Sequence, residues 1–385
     1  MITSKMANSV EPSKGRYLFN LASQYDNVIN LTLGDPDIIT PLSIRKAGCD
    51  AIMQGKTRYS ANAGILELRT QYSSFIEGKY KKKYDPQSQV MITVGGMEGL
   101  YLAMLSVLDP GDEVIIFSPY YINYYQMIQM CSAKPIIIVT KESDGFVPRI
   151  DDIEKNITDK TKLIVMNTPG NPTGAVYSPG IVDGIKDIAK KHNILLISDE
   201  VYNTLIFDGK SHYGVLDSPV EYENVLLIDS CSKRFSMTGW RVGFAIGPAE
   251  WVKTMIKLQE NVAACAPLPS QYAALEAFTN MPDMTDYVNE FEKRRDALVA
   301  TLSKSDKLRF NMPKATFYLF VNVEKTGRRS MDFAVELLKQ KLVSVAPGIG
   351  YGDEFDNYIR IAFTLDVDKL IEAANRIVDF VNERN

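Results

Sequence analysis

Seven short apolar runs, spread through the middle of the chain and each followed by glycines or polar residues, constrain the fold more than any other feature. They read "VMITV" (90–94), "EVIIF" (113–117), "KPIIIV" (134–139), "KLIVMN" (162–167), "ILLIS" (194–198), "NVLLID" (224–229) and "VGFAI" (242–246). None shows the apolar–polar alternation of a strand with one wet face, which points to strands buried on both faces of a mostly parallel sheet. Helical patterns lie between them. In "GGMEGLYLAMLSVLDPGD", Leu100, Ala103, Met104, Val107 and Leu108 recur at i, i+3, i+4, i+7 and i+8, and "DPGD" stops the helix. Strand–helix alternation of this kind makes an α/β domain.

The texture changes near residue 280. "YVNEFEKRRDALVATLSK" and "DKLIEAANRIVDFVNER" read as helices, and "ATFYLFVNV" and "NYIRIAF" as strands. At 385 residues the chain exceeds one small core. The expected fold is α/β: a large domain with a mostly parallel seven-stranded sheet flanked by helices, plus a smaller α+β domain built from both chain ends. The expected division is an N-terminal segment (1–45) packing with the small domain, a large domain (46–280) and a small C-terminal domain (281–385).

Composition narrows the function by exclusion. With 43 basic and 47 acidic residues the formal charge is −4, which gives no electrostatic footprint for nucleic acid or an anionic membrane. Runs such as "PIIIV" are too short to span a bilayer, and the opening "MITSKMANSVEPSK" lacks the apolar core of a signal peptide. Cys49, Cys131, Cys231 and Cys265 show no paired spacing, so reduced thiols in a cytoplasmic protein are expected, and the sequons at Asn30 and Asn156 say nothing about glycosylation. The only histidines are His192 and His212, and HExxH, GxSxG and GxxxxGK[ST] motifs are absent. A histidine-activated nucleophile or a multi-histidine metal site is hard to build from that inventory, which leaves proton transfer to lysine, tyrosine or a carboxylate. "PGIGYG" (347–352) is glycine-rich but mis-spaced for GxGxxG and reads as a turn.

In a doubly wound sheet, ligands sit at the carboxyl ends of the strands. Gly95-Gly96-Met97-Glu98 follows the first run and opens a helix, where backbone N–H groups and the helix dipole favour an anion. "TPGNPTG" follows the fourth, its two X-Pro bonds fixing Asn171 in a rigid loop. Asp199, Glu200 and Tyr202 follow the fifth, and an acid at the end of a buried strand calls for a cation or a donor. Ser230, Ser232 and Lys233 follow the sixth, with Arg241 close behind. Each alone has an ordinary explanation: a βα turn, a surface loop, a helix N-cap, a snorkelling lysine. The set has a chemical one. Lysine forms Schiff bases with carbonyl compounds, and arginine suits phosphate and lowers a neighbouring lysine's pKa. An acid facing a pyridinium nitrogen is what pyridoxal 5'-phosphate needs to act as an electron sink.

The motifs "NLTLGDPD" (30–37), "TRYSANAGILELR" (57–69), "SPYY" (118–121), "NTPGNPTG" (167–174), "SDEVY" (198–202) and "SKRFSMTGWRVG" (232–243) occur in that order. "PKATFYLF" (313–320), "VAPGIGYG" (345–352) and "YIRIAF" (358–363) follow. In this combination the chain resembles the fold-type I pyridoxal-phosphate enzymes of the class I/II aminotransferase family, nearest the bacterial aspartate and aromatic aminotransferases.

The resemblance implies that the large domain binds the cofactor and assigns roles by position. Lys233 would carry it covalently and then move the proton between the substrate Cα and the cofactor. Asp199 would keep the pyridine nitrogen protonated, and Tyr202 and Asn171 would hydrogen-bond its phenolate oxygen. The Gly96 and Met97 amides, Ser230 and Arg241 would hold the phosphate, and Tyr121 would stack on the ring. Arg360 would pair with the substrate α-carboxylate, helped by Asn171 and the backbone near Gly34. Tyr59 would reach the phosphate of the neighbouring subunit, which makes a homodimer the minimal active unit. The implied activity is ping-pong transfer of an amino group from an L-amino acid to a 2-oxo acid such as 2-oxoglutarate.

Three positions depart from the family's pattern. Met97 stands where acid-preferring members carry lysine, which favours neutral, aromatic or broad donors. Tyr121 replaces tryptophan or phenylalanine, and "PKAT" (313–316) replaces a glycine-containing turn. A carbon–sulfur β-lyase shares the lysine, acid and arginine and is the alternative within the family. A non-catalytic regulator is the remote one, since only about 30 residues precede the first motif, too few for a DNA-binding module.

Overall fold

The computed structural model describes residues 2–383, so the outermost residues of the two end segments lie outside the description. The apolar runs form seven strands: β1 (Val90–Thr93), β2 (Glu113–Ser118), β3 (Lys134–Val139), β4 (Thr161–Asn167), β5 (Leu195–Asp199), β6 (Val225–Ser230) and β7 (Gly243–Ile246). They lie in one sheet in the order β1-β7-β6-β5-β4-β2-β3. Side chains alternate between two cores. Val114, Ile116, Val165 and Ile197 enter one, and Ile115, Phe117, Ile164 and Leu196 the other. Both faces are apolar and covered, which is why the runs lack polar alternation.

Every neighbouring pair in this sheet is parallel except those of β7, which runs against both β1 and β6. That reversal matters for the site. Gly243, the first residue of β7, pairs with Thr93 at the end of β1 and Ser230 at the end of β6. The segment that enters β7, bearing Arg241, therefore lies at the edge where the parallel strands finish. Gly243 permits the close packing there, since a Cβ would sit 2.6 Å from the Gly96 nitrogen.

A second, antiparallel sheet comprises β8 (Arg309–Phe310), β9 (Tyr318–Asn322), β10 (Ala346–Pro347) and β11 (Tyr358–Ala362), in the order β10-β11-β9-β8. The helices Thr285–Leu302 and Val367–Asn382 supply Phe291, Leu298, Leu370 and Ile377 to the same core as Phe317, Leu319, Ile359 and Ile361. Leu18, Ala22, Ile29 and Leu31 join that core from the N-terminal side, and Ile29–Asn30 pairs in parallel with Val343–Ser344. "PGIGYG" contains a 3-10 turn at Gly348–Tyr351. Among the described residues no helix is long and apolar enough to cross a membrane.

Candidate active site

A cleft of about 570 Å³ opens where the carboxyl edge of the large sheet meets the N-terminal segment and the second sheet. Of the twelve residues singled out from sequence, eleven line it, and Tyr59 does not. Tyr59 stands outside, 87% exposed.

One end of the cleft is an anion cradle. Helix α1 (Gly95–Leu105) starts directly after β1, so the Gly96 and Met97 N–H groups belong to a first turn without intrahelical acceptors. Gly95 has φ +74°, and a Cβ there would lie 2.3 Å from Arg241 Nη2. Arg241 itself is held with φ +56° and donates to two backbone carbonyls, Thr238 O at 3.0 Å and Val94 O at 3.2 Å. Its charge has no carboxylate partner among the described residues. The Ser230 hydroxyl lies across the cradle, 2.9 Å from that of Ser232.

The middle of the cleft holds a buried acid and a lysine. Asp199, 3% exposed at the end of β5, accepts from the Tyr124 hydroxyl at 2.5 Å and the Val201 N–H at 3.3 Å. Burial pushes its carboxyl up to about 6, against the downward pull of those two donors. Glu200 turns the other way, into the His212 imidazole at 2.8 Å and Ser198 Oγ at 2.7 Å. Burial opposes its charge, yet His212 and the hydrogen bonds hold it below the usual range. Neither histidine lines the cleft.

Lys233 lies on the one-turn helix Cys231–Arg234 that follows β6, capped by the Ser230 hydroxyl. Its ammonium donates to Gly34 O at 2.7 Å and makes no ion pair among the described residues. Desolvation brings it down to about 8, with Arg360 and Arg241 adding to the fall and Asp35 opposing it.

The far end is built by Arg360 on β11. Its Nη1 donates to Asn171 Oδ1 at 3.1 Å and its Nη2 to Thr32 O at 2.5 Å, while the buried Nε–H has no partner. A buried arginine at the cleft wall, with no carboxylate partner among the described residues, suits an incoming carboxylate. Tyr202 and Asn171 border the same space, with the Tyr202 hydroxyl 3.1 Å from that of Tyr318. Tyr121 packs edge-on against Tyr124, ring centroids 5.6 Å apart. Met97, 40% exposed, is approached by Asn123 Nδ2 at 3.6 Å.

Sequence reasoning passed over Tyr124 and Tyr318. Both are apolar-looking members of aromatic stretches, "YYINYYQ" and "FYLF", where spacing gives no hint which ring turns inward. Their partners are set by tertiary contacts 75 and 116 residues away.

The residues present fit pyridoxal phosphate. Gly95 lets Arg241 reach the cradle, where a Cβ would strike its guanidinium, a buried acid lacks a cation, and a desolvated amine lacks an anion. The comparisons agree. Residues 26–377 match the family model of class I and II aminotransferases. An aspartate aminotransferase of Pyrococcus horikoshii is 37% identical over 96% of this chain and 94% of its own. Aromatic-amino-acid aminotransferase 2 of Thermococcus litoralis is 34% identical over 100% and 99% of the two chains. The crystal structure of aspartate aminotransferase from Thermotoga maritima superposes with a TM-score of 0.93 at 33% identity, covering 99% of this chain and 100% of that one. The chain belongs to the class I and II aminotransferase family. It is a pyridoxal-phosphate-dependent enzyme, a transferase of nitrogenous groups.

Proposed function

We propose that this enzyme moves the amino group of a neutral or aromatic L-amino acid to a 2-oxo acid such as 2-oxoglutarate, in a ping-pong cycle centred on Lys233. The observation that carries the reading is the convergence of the Lys233 amine, the Asp199 carboxylate, the glycine–arginine cradle and Arg360 on one cleft. When bound, pyridoxal phosphate supplies the electron sink for the pair left behind as the Cα–H bond breaks. The chain's own residues do the rest. Arg360 would fix the substrate carboxylate through the Nη donors now shared with Asn171 and Thr32, which orients Cα in the cleft. Lys233, whose Nζ has no ion pair among the described residues, would be the base that takes the proton from Cα and returns it on the cofactor side.

Asp199 would meet the ring nitrogen with negative charge. Tyr202 and Asn171 would donate to the phenolate oxygen, and Tyr121 would cover the ring. Gly96, Met97, Ser230 and Arg241 would hold the phosphate. The backbone carbonyl of Gly34 keeps Lys233 aimed while substrate is absent. Met97 supports the neutral donor, since a thioether offers no charge to a distal carboxylate.

The exposed Tyr59 supports a homodimer in which it completes the partner's cradle. The unpaired thiols support a cytoplasmic setting. The proposed domains are the N-terminal segment 1–45, the cofactor-binding domain 46–280 and the closing domain 281–385.

The test is the absorbance spectrum of the reconstituted enzyme as single amino acids are added. Conversion of the lysine-bound band to the pyridoxamine form, with stoichiometric oxo acid released, is expected for donors such as phenylalanine, and Lys233→Ala should abolish the band. Pyruvate and ammonia appearing while the original band returns without an oxo acid would replace this reading by a β-lyase.

A further inference from the structure

Tyr318 touches three parts of the site: Arg360, Tyr202 and Gly34. It opens β9 and is 3% exposed at the wall of the cleft. In the second sheet Phe320 is opposite Arg360, so Tyr318 is the diagonal neighbour of Arg360 on the same face. The Arg360 guanidinium lies 4.2 Å from the centre of the Tyr318 ring, against 5.3 Å from that of Tyr351. At the other end of the ring, the hydroxyl is 3.1 Å from the Tyr202 hydroxyl. Tyr318 also lies against Gly34, where a Cβ would come within 1.7 Å of its hydroxyl. Gly34 in turn supplies the carbonyl that holds Lys233.

We propose that Tyr318 is a positioning residue that serves both ends of the reaction with two parts of one side chain. Its hydroxyl orients the Tyr202 phenol, and its ring face seats Arg360. The proposal rests on the roles given above to Tyr202 and Arg360.

A phenol has one proton to donate and lone pairs to accept with. Once Tyr202 donates to an anionic oxygen, its own oxygen is free to accept, and Tyr318 is the phenol within reach to donate. Two phenols in series polarise each other, so the second strengthens the first as a donor. Arg360 is held at Nη1 and Nη2 by two acceptors from different parts of the chain, Asn171 and Thr32, and neither constrains tilt about the line between them. A ring under the guanidinium face does so, and adds cation–π attraction away from water.

Two variants separate the parts. In the cofactor-loaded enzyme without substrate, Tyr318→Phe would leave Tyr202 a weaker donor to the cofactor oxygen, which would then hold a shared proton harder. The cofactor absorbance should therefore titrate about 0.3–1 pH unit higher than in wild type. Binding of the non-reacting carboxylates maleate and 3-phenylpropanoate should stay within about twofold in Tyr318→Phe, because the ring remains, and weaken about two- to thirtyfold in Tyr318→Leu. An unchanged titration in Tyr318→Phe, with the band intact, overturns the proposal. So does equal weakening of carboxylate binding in both variants, which would mark Tyr318 as packing alone. A wild type with no lysine-bound band would instead overturn the assignment of Lys233 on which everything here stands.

Discussion

Asp199→Asn should stabilise the cofactor-free protein, and by an amount that grows with pH. The Asp199 carboxylate is 3% exposed and meets only neutral donors, the Tyr124 hydroxyl and the Val201 N–H. Burial therefore lifts it from 3.8 to about 6. In the unfolded chain the group ionises at the lower value, so the folded state binds the proton more tightly. Unfolding free energy consequently falls as pH rises through this window, and the loss is complete above the upper value. At 1.36 kcal/mol per pH unit the loss is about 3 kcal/mol. Asparagine keeps the shape and the Tyr124 contact but cannot ionise, so the variant escapes the loss. Urea unfolding of both cofactor-free proteins should show the gap opening between about pH 4 and 6 and staying level to about pH 8. Loading with pyridoxal phosphate should close or invert the gap, since a protonated ring nitrogen is the cation the carboxylate lacks. A gap independent of pH, or one that opens as pH falls, would refute the reasoning.

Lys233 should capture free pyridoxal phosphate through its neutral amine alone, so the rate of band formation in the cofactor-free enzyme should climb with pH, reach half its limit near 8 and level off about one unit above. A level rate from acid to alkaline pH would place the amine elsewhere. Arg360→Lys keeps the charge but loses the fork, and kcat/KM for any donor should drop about 10- to 100-fold with the cofactor spectrum unchanged. Met97→Lys places an ammonium at the mouth of the cleft and should raise kcat/KM for aspartate over phenylalanine about tenfold. No change in that ratio would remove Met97 from substrate selection.

The seven strands were legible because a buried parallel strand has to be apolar on both faces, and each observed strand lies within two residues of its run. What periodicity cannot carry is order and direction. Nothing in "VGFAI" distinguishes the one reversed strand from its six neighbours, yet that reversal brings Arg241 to the cradle. The chemistry-bearing residues at strand ends were legible for the same reason, since a polar residue after a buried run has little else to do. Arg360 needed the resemblance, because an arginine inside "YIRIAF" reads as an edge cation until its burial is known. Tyr124 and Tyr318 were invisible because their work depends on which way a ring turns. Tyr59, exposed and away from the cleft, is the one assigned residue that a single chain does not gather there.

The cradle is assembled from β1, β7 and β6, three strands that are hydrogen-bonded side by side at Thr93, Gly243 and Ser230. Gly95-Gly96, Arg241 and Ser230 therefore belong to a single stiff frame, whose spacing is set by the sheet. Another stretch of the wall has no such frame. Pro12, Ser13, Arg16, Ile122, Gly350 and Tyr351 line the cleft from separate segments, none of them a strand of the large sheet. Mutations on that wall can redraw the outline a donor must match while the anchor beneath keeps its dimensions. A scaffold divided in this way lets a laboratory, or a lineage, exchange one amino acid for another as substrate without relearning how to hold the cofactor.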